Sequence, residues 1–172
     1  SGGTLEIYIE PNLPQPQIIA IGHLPIVESL ATLGKGLGYA VTVMGLDSTA
    51  DRFPQADRFL DRLDFSQLAV TPRTYIVVAS HGNYDEEALE GALKTGAPYV
   101  ALVASKKRAA TVIQYLRDAG LTDEQLARLK YPAGLDFGAS TPEEIALSIL
   151  AEIVQIRRSA APATETSRGV VS

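Results

Sequence analysis

Short runs of apolar residues alternate along the chain with longer stretches of helical periodicity. The apolar runs lie at 17–21, 39–44, 74–79 and 98–103, and the helical stretches at 25–37, 85–95, 106–119 and 141–158. A chain that alternates strand and helix folds into a mostly parallel sheet, because each helix carries the chain back to begin a parallel neighbour. Runs that are apolar throughout are typical of strands buried on both faces. The pattern therefore predicts an α/β fold of three layers, a mostly parallel sheet with helices on both faces.

The segments outside this alternation have weaker patterns. Leu5 to Glu10 alternates with period two and predicts a half-exposed strand. Residues 46–64 are polar and predict an irregular connection, followed by a helical turn at 65–68 and a short capped helix after Thr122. From residue 159 the chain is rich in Ala, Pro, Thr and Ser without periodicity. We therefore expect one domain over residues 1–158 and a disordered tail over 159–172.

The composition excludes several classes of site. The chain has no Cys, which excludes disulfides, thiolate metal sites and Cys nucleophiles, and its 2 His residues are too few for a His-rich metal centre. A formal net charge of -5 argues against a general nucleic-acid binder, which neutralises many phosphates. No apolar run approaches the length of a membrane span, so we expect no membrane association and a cytoplasmic location.

A Ser and three consecutive cations follow the predicted strand at 98–103. Ser105 is placed to cap the next helix, and Lys106, Lys107 and Arg108 form its first turn. Cations at the amino end of a helix oppose its dipole, whereas an anion is favoured there and can also bind free backbone amides. A bound phosphate would explain the cluster. The alternative is a solvated charged helix start.

A second polar group follows the predicted strand at 74–79. Because the carboxyl ends of parallel strands meet at one edge of a sheet, we expect this group to lie beside Ser105 and the cations, where open α/β folds bind ligands. His81 ends this strand, and Asp85 begins the following helix. Ser80 is adjacent to His81, but neighbouring side chains of a strand point in opposite directions, so we do not predict a catalytic triad. His81 is a general acid/base, a ligand contact, or a residue that hydrogen-bonds its own loop. Asp85 is either a ligand contact or a helix cap.

The turn after the first buried strand occupies the place of a dinucleotide fingerprint. Only the middle glycine of G-x-G-x-x-G remains, as Gly22, and His23 follows it. The acidic residue expected after the second strand is replaced by Gly45. A plain turn is favoured over a nucleotide site, and NAD(P) binding is weakly supported.

A further candidate is the glycine-rich loop 131–139, where Gly134 and Asp136 either face a ligand or form tight turns.

A series of short segments, each weak alone, follows in a fixed order along the chain. They are Ser1–Thr4, Ile9–Pro11, Gly22-His23, Arg52–Asp57, Ser80-His81 with Asp85, Ala92-Leu93, Tyr99-Val100, Ser105–Arg108, Pro132–Asp136, and Pro142–Ala146 with Ser148-Ile149 and Ala151–Ile153. In this order and spacing the sequence resembles the carboxyl-terminal Rossmann-like domain of the XdhC/CoxI family. Members of that family are accessory proteins for xanthine dehydrogenase and related molybdenum hydroxylases.

The resemblance implies a chaperone role rather than catalysis. Such a protein binds molybdenum cofactor (molybdopterin), which carries a phosphate, and delivers it to the apoenzyme of a xanthine dehydrogenase or CO dehydrogenase-type hydroxylase. A separate amino-terminal XdhC-type domain and a cysteine desulfurase are the other implied partners. Residues of one crevice would hold the ligand, namely Gly22, His23, His81, Asp85, Ser105, Lys106, Lys107, Arg108, Gly134 and Asp136. The alternatives are an NAD(P)-binding oxidoreductase and a non-catalytic scaffold that oligomerises. The expected assembly is a homodimer.

Overall fold

A six-stranded parallel sheet forms the centre of the computed structural model, which describes residue 3 and residues 13–160. The strands are ordered β3-β2-β1-β4-β5-β6 across the sheet. In chain order the elements are β1 (Gln17–Ile21), α1 (Pro25–Gly36), β2 (Ala40–Met44), β3 (Arg58–Leu60), β4 (Thr74–Val78), α2 (Asp85–Lys94), β5 (Tyr99–Leu102), α3 (Lys106–Asp118), α4 (Asp123–Ala127), β6 (Leu129–Lys130) and α5 (Pro142–Ser159). The predicted strand at 5–10 and most of the predicted tail lie outside the described residues.

Two apolar layers cover the two faces of the sheet. Side chains alternate along β1, so that Ile18 joins the cluster formed with α1 and α5, whereas Ile19 joins the cluster formed with α2 and α3. Both side chains are fully buried. The predicted three-layer α/β architecture is therefore confirmed. It follows from the apolar character of β1 and β4, since a strand covered on both faces has no polar side to present to water.

The strand register brings the carboxyl ends of the central strands to one edge. Ile21 of β1 is paired with Val78 of β4, and Val78 with Leu102 of β5. The loops that follow these strands therefore emerge side by side, as the sequence predicted for 80–85 and 105–108. This edge is where open parallel sheets bind their ligands.

The starts of α5 and α3 confirm their capping predictions. Thr141 and Glu144 form a reciprocal capping box before α5, with Pro142 at its first position. Hydrogen bonds from the backbone amides of Thr141 and Ser140 lower the pKa of Glu144. Ser105 caps α3 by accepting a hydrogen bond from the backbone amide of Arg108. These local signals are readable from sequence because both partners lie within one helical turn.

The prediction for residues 46–64 was wrong in one respect. This segment contains β3, an edge strand that sequence analysis missed because Arg58 is exposed and its two neighbours are only half-buried. Tertiary contacts create it. Asp57 accepts hydrogen bonds from the Lys35 ammonium and from the Val41 amide at 2.8 Å, which together lower its pKa. The two-residue strand β6 was also missed, because no periodicity exists over so short a length.

Across residues 13–160, no helix is long and apolar enough to cross a membrane.

Candidate functional site

A cleft of about 380 Å³ opens at the carboxyl edge of the sheet, between the β4–α2 loop and the start of α3. It faces solvent and combines charged, hydroxyl and apolar groups. Its lining residues are His81, Gly82, Asp85, Val103, Ala104, Ser105 and Arg108. The cleft thus brings together four residues that sequence analysis placed in one site: His81, Asp85, Ser105 and Arg108.

A buried carboxylate organises the β4–α2 loop. Asp85 is 0% exposed, and one of its oxygens accepts hydrogen bonds from the Ser80 hydroxyl and from the Ser80 amide at 3.2 Å. Its other oxygen accepts a bond from the Gly82 amide at 2.9 Å. The Ser80 hydroxyl in turn accepts a bond from the Tyr84 amide at 3.1 Å. Asp85 therefore folds the loop back on itself. The helix-cap alternative for Asp85 was wrong, because Tyr84 precedes the first turn of α2 and Asp85 bonds the preceding loop instead of the helix amides.

This folded loop holds His81 at the surface of the cleft. His81 has a φ of 53° and Gly82 a φ of 84°, so two consecutive residues are left-handed. A non-glycine residue is uncommon in this region, although His, Asn and Asp tolerate it better than most. The imidazole is exposed to solvent, and its ring is accessible to a molecule in the cleft.

The opposite wall of the cleft is the amino end of α3. The Ser105 hydroxyl caps the Arg108 amide at 3.2 Å, and the Ser105 carbonyl accepts the Ala109 amide at 2.9 Å. The amides of Lys106 and Lys107 precede the first intrahelical hydrogen bond. Both lysines are exposed, and neither is among the residues that line the cleft. This wall therefore consists of the cap residue Ser105 and the Arg108 side chain, at the positive end of a thirteen-residue helix.

Arg108 spans the two walls and is held by carboxylates of the chain. Its Nη2 donates to Glu86 Oε1 at 3.0 Å and to Gly82 O at 3.4 Å. Its Nε lies 3.8 Å from Asp85 Oδ2 and, although buried, forms no hydrogen bond within the described residues. For Arg108, a bound anion is therefore not needed to explain the cation, because carboxylates of the chain already lie beside it. Glu86, which sequence analysis missed as a site residue, supplies part of the negative charge that balances Arg108.

Gly22 is required by the fold itself. It is buried with a φ of +147°, and a Cβ at this position would lie 2.2 Å from the carbonyl oxygen of Ala79. Its amide donates to Met44 O at 2.9 Å. The glycine therefore allows β1 and β4 to approach closely where they end. This contact explains the remaining glycine of the fingerprint without a nucleotide.

Tyr84 lies beside the turn that would hold a dinucleotide. Its hydroxyl is 3.5 Å from His23 Nδ1 and adjacent to the Leu46 backbone, and burial raises its pKa. The side chain is only 7% exposed. At Gly45, where a ribose-binding acid was expected, a Cβ would lie 3.1 Å from Gly22 O. Tyr84 and the chain around Gly45 thus pack close to this turn, and Gly22 and His23 do not line the cleft. The sequence carried no signal for Tyr84 beyond a single aromatic residue ahead of a helix.

The loop after β6 packs against α5. A Cβ on Gly134 would lie 2.3 Å from Ser148 Oγ, and the Gly134 amide donates to Glu152 Oε1 at 3.2 Å. The same carboxylate oxygen accepts the Tyr99 hydroxyl at 2.7 Å. Desolvation and then this bond raise the pKa of Tyr99. Asp136 is exposed. Neither Gly134 nor Asp136 lines the cleft, so the expected single crevice does not include them.

The donors of the cleft suit an anion better than a metal ion. Within residues 13–160, no group of three or more His, Asp or Glu side chains is arranged to hold a metal ion. The cleft combines instead one imidazole, one guanidinium, one hydroxyl and the Asp85 carboxylate, whose oxygens are already bonded within the loop, beside the start of α3. This donor set suits an anion with several oxygens.

Comparisons with known proteins place these features in a family. Residues 18–153 match the family described as the XdhC Rossmann domain. The chain is 29% identical over 166 residues to an uncharacterised protein, YqeB, of Escherichia coli K12, covering 92% of this chain and 30% of that protein. It is 28% identical over 162 residues to a probable xanthine dehydrogenase subunit of Bacillus subtilis 168, covering 90% of this chain and 47% of that protein.

A solved structure shows the same fold. The crystal structure of a xanthine dehydrogenase from Bacillus halodurans superposes with a TM-score of 0.74 at 28% sequence identity. The match covers 88% of this chain and 45% of that chain. The chain therefore spans less than half the length of each of these relatives.

Proposed function

Because this chain belongs to the XdhC Rossmann-domain family, we propose that it is an accessory module that binds molybdenum cofactor by its phosphate during maturation of a xanthine dehydrogenase-type hydroxylase. The observation that carries the proposal is the cleft at the carboxyl ends of β4 and β5. It presents Arg108 and the amino end of α3 to the same open space. The proposed partner is the hydroxylase apoenzyme, with a separate XdhC-type domain and a cysteine desulfurase as further proposed partners.

The donor set of the cleft fits the phosphate end of such a cofactor. Backbone amides at a helix start bind phosphate oxygens directly, and the helix dipole favours the negative charge. A guanidinium adds donors in a planar fork that matches two phosphate oxygens. The Arg108 Nε is buried and has no hydrogen-bond partner among the described residues, so this guanidinium retains an unused donor.

The remaining lining suits the organic part of the ligand. Val103 and Ala104 form an apolar floor beside Ser105, and His81 stands at the opposite rim. An imidazole can contact a flat heterocycle or donate a hydrogen bond to it. The chain contains no Cys, so its residues bind and orient the ligand, while the cofactor itself supplies the molybdenum and sulfur chemistry when bound.

We do not extend the proposal to NAD(P). The pyrophosphate of a dinucleotide normally lies over the turn after the first strand and against the amino end of the first helix. Here Gly22 is packed against Ala79, and the Tyr84 hydroxyl lies beside His23 and Leu46. The chain's own atoms thus contact the turn over which a pyrophosphate would lie.

Replacing Arg108 with alanine is expected to reduce cofactor retention at least about tenfold, since a charge-assisted contact to phosphate is worth about 1.5–3 kcal/mol. The measurement mixes the full chain with molybdenum cofactor released from a purified hydroxylase, separates the protein by anaerobic gel filtration, and quantifies the bound pterin by fluorescence after oxidation.

Arg117→Ala is the matched control. Arg117 lies in the last turn of the same helix and its side chain is 54% exposed beside Asp123, away from the cleft. This variant is expected to retain the cofactor as the unaltered protein does. Equal retention by all three proteins, or no retention by any of them, would contradict the proposal.

A further inference from the structure

The phosphate-binding cation of the cleft already has a counter-ion within the chain. Arg108 Nη2 and Glu86 Oε1 are 3.0 Å apart, and the two side chains are 36% and 25% exposed. Glu86 is the second residue of α2 and projects from the wall opposite α3. An anion entering the cleft would therefore meet a guanidinium whose charge is partly neutralised.

Asp85 and Glu86 stand in different relations to Arg108. The Asp85 carboxylate accepts hydrogen bonds from Ser80 and Gly82, and these bonds remain when Arg108 moves. Glu86, by contrast, has Arg108 as its hydrogen-bond partner within the described residues. The Glu86 carboxylate is also partly exposed, so it can turn towards water when its partner is taken. Glu86 is thus the displaceable counter-ion and Asp85 the fixed one.

We infer that Glu86 is an intramolecular competitor for the anion, so that binding at the cleft exchanges one carboxylate for a phosphate on Arg108. This inference rests on the proposed function, because it concerns the regulation of the same site. An exchange lowers the affinity for the ligand, since the ion pair must be broken. It also favours release, because Glu86 returns to Arg108 as the phosphate leaves. A module that transfers its ligand to another protein requires such reversible binding.

The inference predicts that removing the competitor tightens anion binding. The probe is phenyl phosphate at pH 8, where a phosphate monoester is fully ionised because its second pKa is about 6. Its dissociation constant is measured by nuclear magnetic resonance titration of the full chain. Glu86→Gln is expected to bind the probe about threefold to fivefold more tightly than the unaltered protein, the size expected for a partly exposed ion pair.

Two further variants separate ion pairing from general charge. Glu87→Gln removes the same charge one residue along the first turn of α2, at an exposed position. It is expected to change the dissociation constant less than about twofold, because exposed charges are screened. Glu86→Asp keeps the charge but shortens the side chain by one methylene, so the contact with Arg108 is lost. It is expected to tighten binding as Glu86→Gln does.

The outcomes distinguish this inference from the proposed function. If Glu86→Gln binds no more tightly than Glu87→Gln, or if Glu86→Asp binds as the unaltered protein does, Glu86 is not a competitor and only this inference fails. If neither the unaltered protein nor Glu86→Gln binds phenyl phosphate, the phosphate site itself is overturned and the proposed function fails with it. If only Glu86→Gln binds, the competitor is confirmed directly.

Discussion

Replacing Gly22 with alanine is expected to lower the free energy of unfolding by at least about 3 kcal/mol, among the largest effects of a single substitution. The new methyl group would lie 2.2 Å from the carbonyl oxygen of Ala79 and 2.8 Å from its carbonyl carbon. Both are backbone atoms at the end of β4, so relief requires the two central strands to separate. The φ of +147° adds strain for any residue with a Cβ. Urea denaturation followed by far-ultraviolet circular dichroism measures the change.

The control for this prediction is a glycine that lacks such contacts. A Cβ on Gly36, at the end of α1, would meet nothing within 4 Å. Gly36→Ala is expected to leave stability unchanged or to raise it by up to about 1 kcal/mol, because it restricts the unfolded chain. A Gly22→Ala variant as stable as Gly36→Ala would show that β1 and β4 do not meet as described.

Asp85→Ala is the second large expected effect, a loss of about 3 kcal/mol in the free energy of unfolding. The substitution leaves the Ser80 amide, the Ser80 hydroxyl and the Gly82 amide without their acceptor. Each buried group without a partner costs about 1–3 kcal/mol, and water entering the space recovers part of the total. It also removes a negative charge from the amino end of α2, where the helix dipole favours one.

Glu87→Ala provides the comparison. Glu87 lies in the same helical turn with the same charge, but it is exposed. Its removal is expected to cost less than about 0.5 kcal/mol, as is usual at a surface position. If Asp85→Ala and Glu87→Ala unfold at the same urea concentration, Asp85 is not the organiser of the β4–α2 loop. A stable Asp85→Ala protein would also reopen a direct ligand role for this carboxylate.

The layered fold was predictable because its signals are local or periodic. Runs such as 74–79 are apolar throughout, which a doubly covered strand requires, and the Thr141 capping box is complete within four residues. The strand β3 was not predictable, because its stability depends on Asp57 reaching Lys35 and Val41 on other elements. Such contacts leave no pattern within the segment that they stabilise.

The candidate site was predictable in position but not in its contacts. The carboxyl ends of parallel strands meet at one edge, so His81 and Ser105 were expected together, and the cleft brings them together. The pairing of Arg108 with Glu86 spans 22 residues and two helices, and no spacing rule predicts it. The role of Gly22 was also ambiguous. A glycine that allows a neighbouring strand to pack closely and a glycine that allows a pyrophosphate to approach cannot be told apart in the sequence.

Titration of the ¹⁵N-labelled full chain with phenyl phosphate, observed at the backbone amides, tests the anion site most directly. We expect saturable shifts that are largest at Lys106 and Lys107, whose amides lie at the open start of α3, with smaller changes at Gly82. Shifts centred on Gly22 and His23, or no saturable shift at any amide of either the unaltered chain or its Glu86→Gln variant, would contradict the claim that an anion binds between the β4–α2 loop and α3.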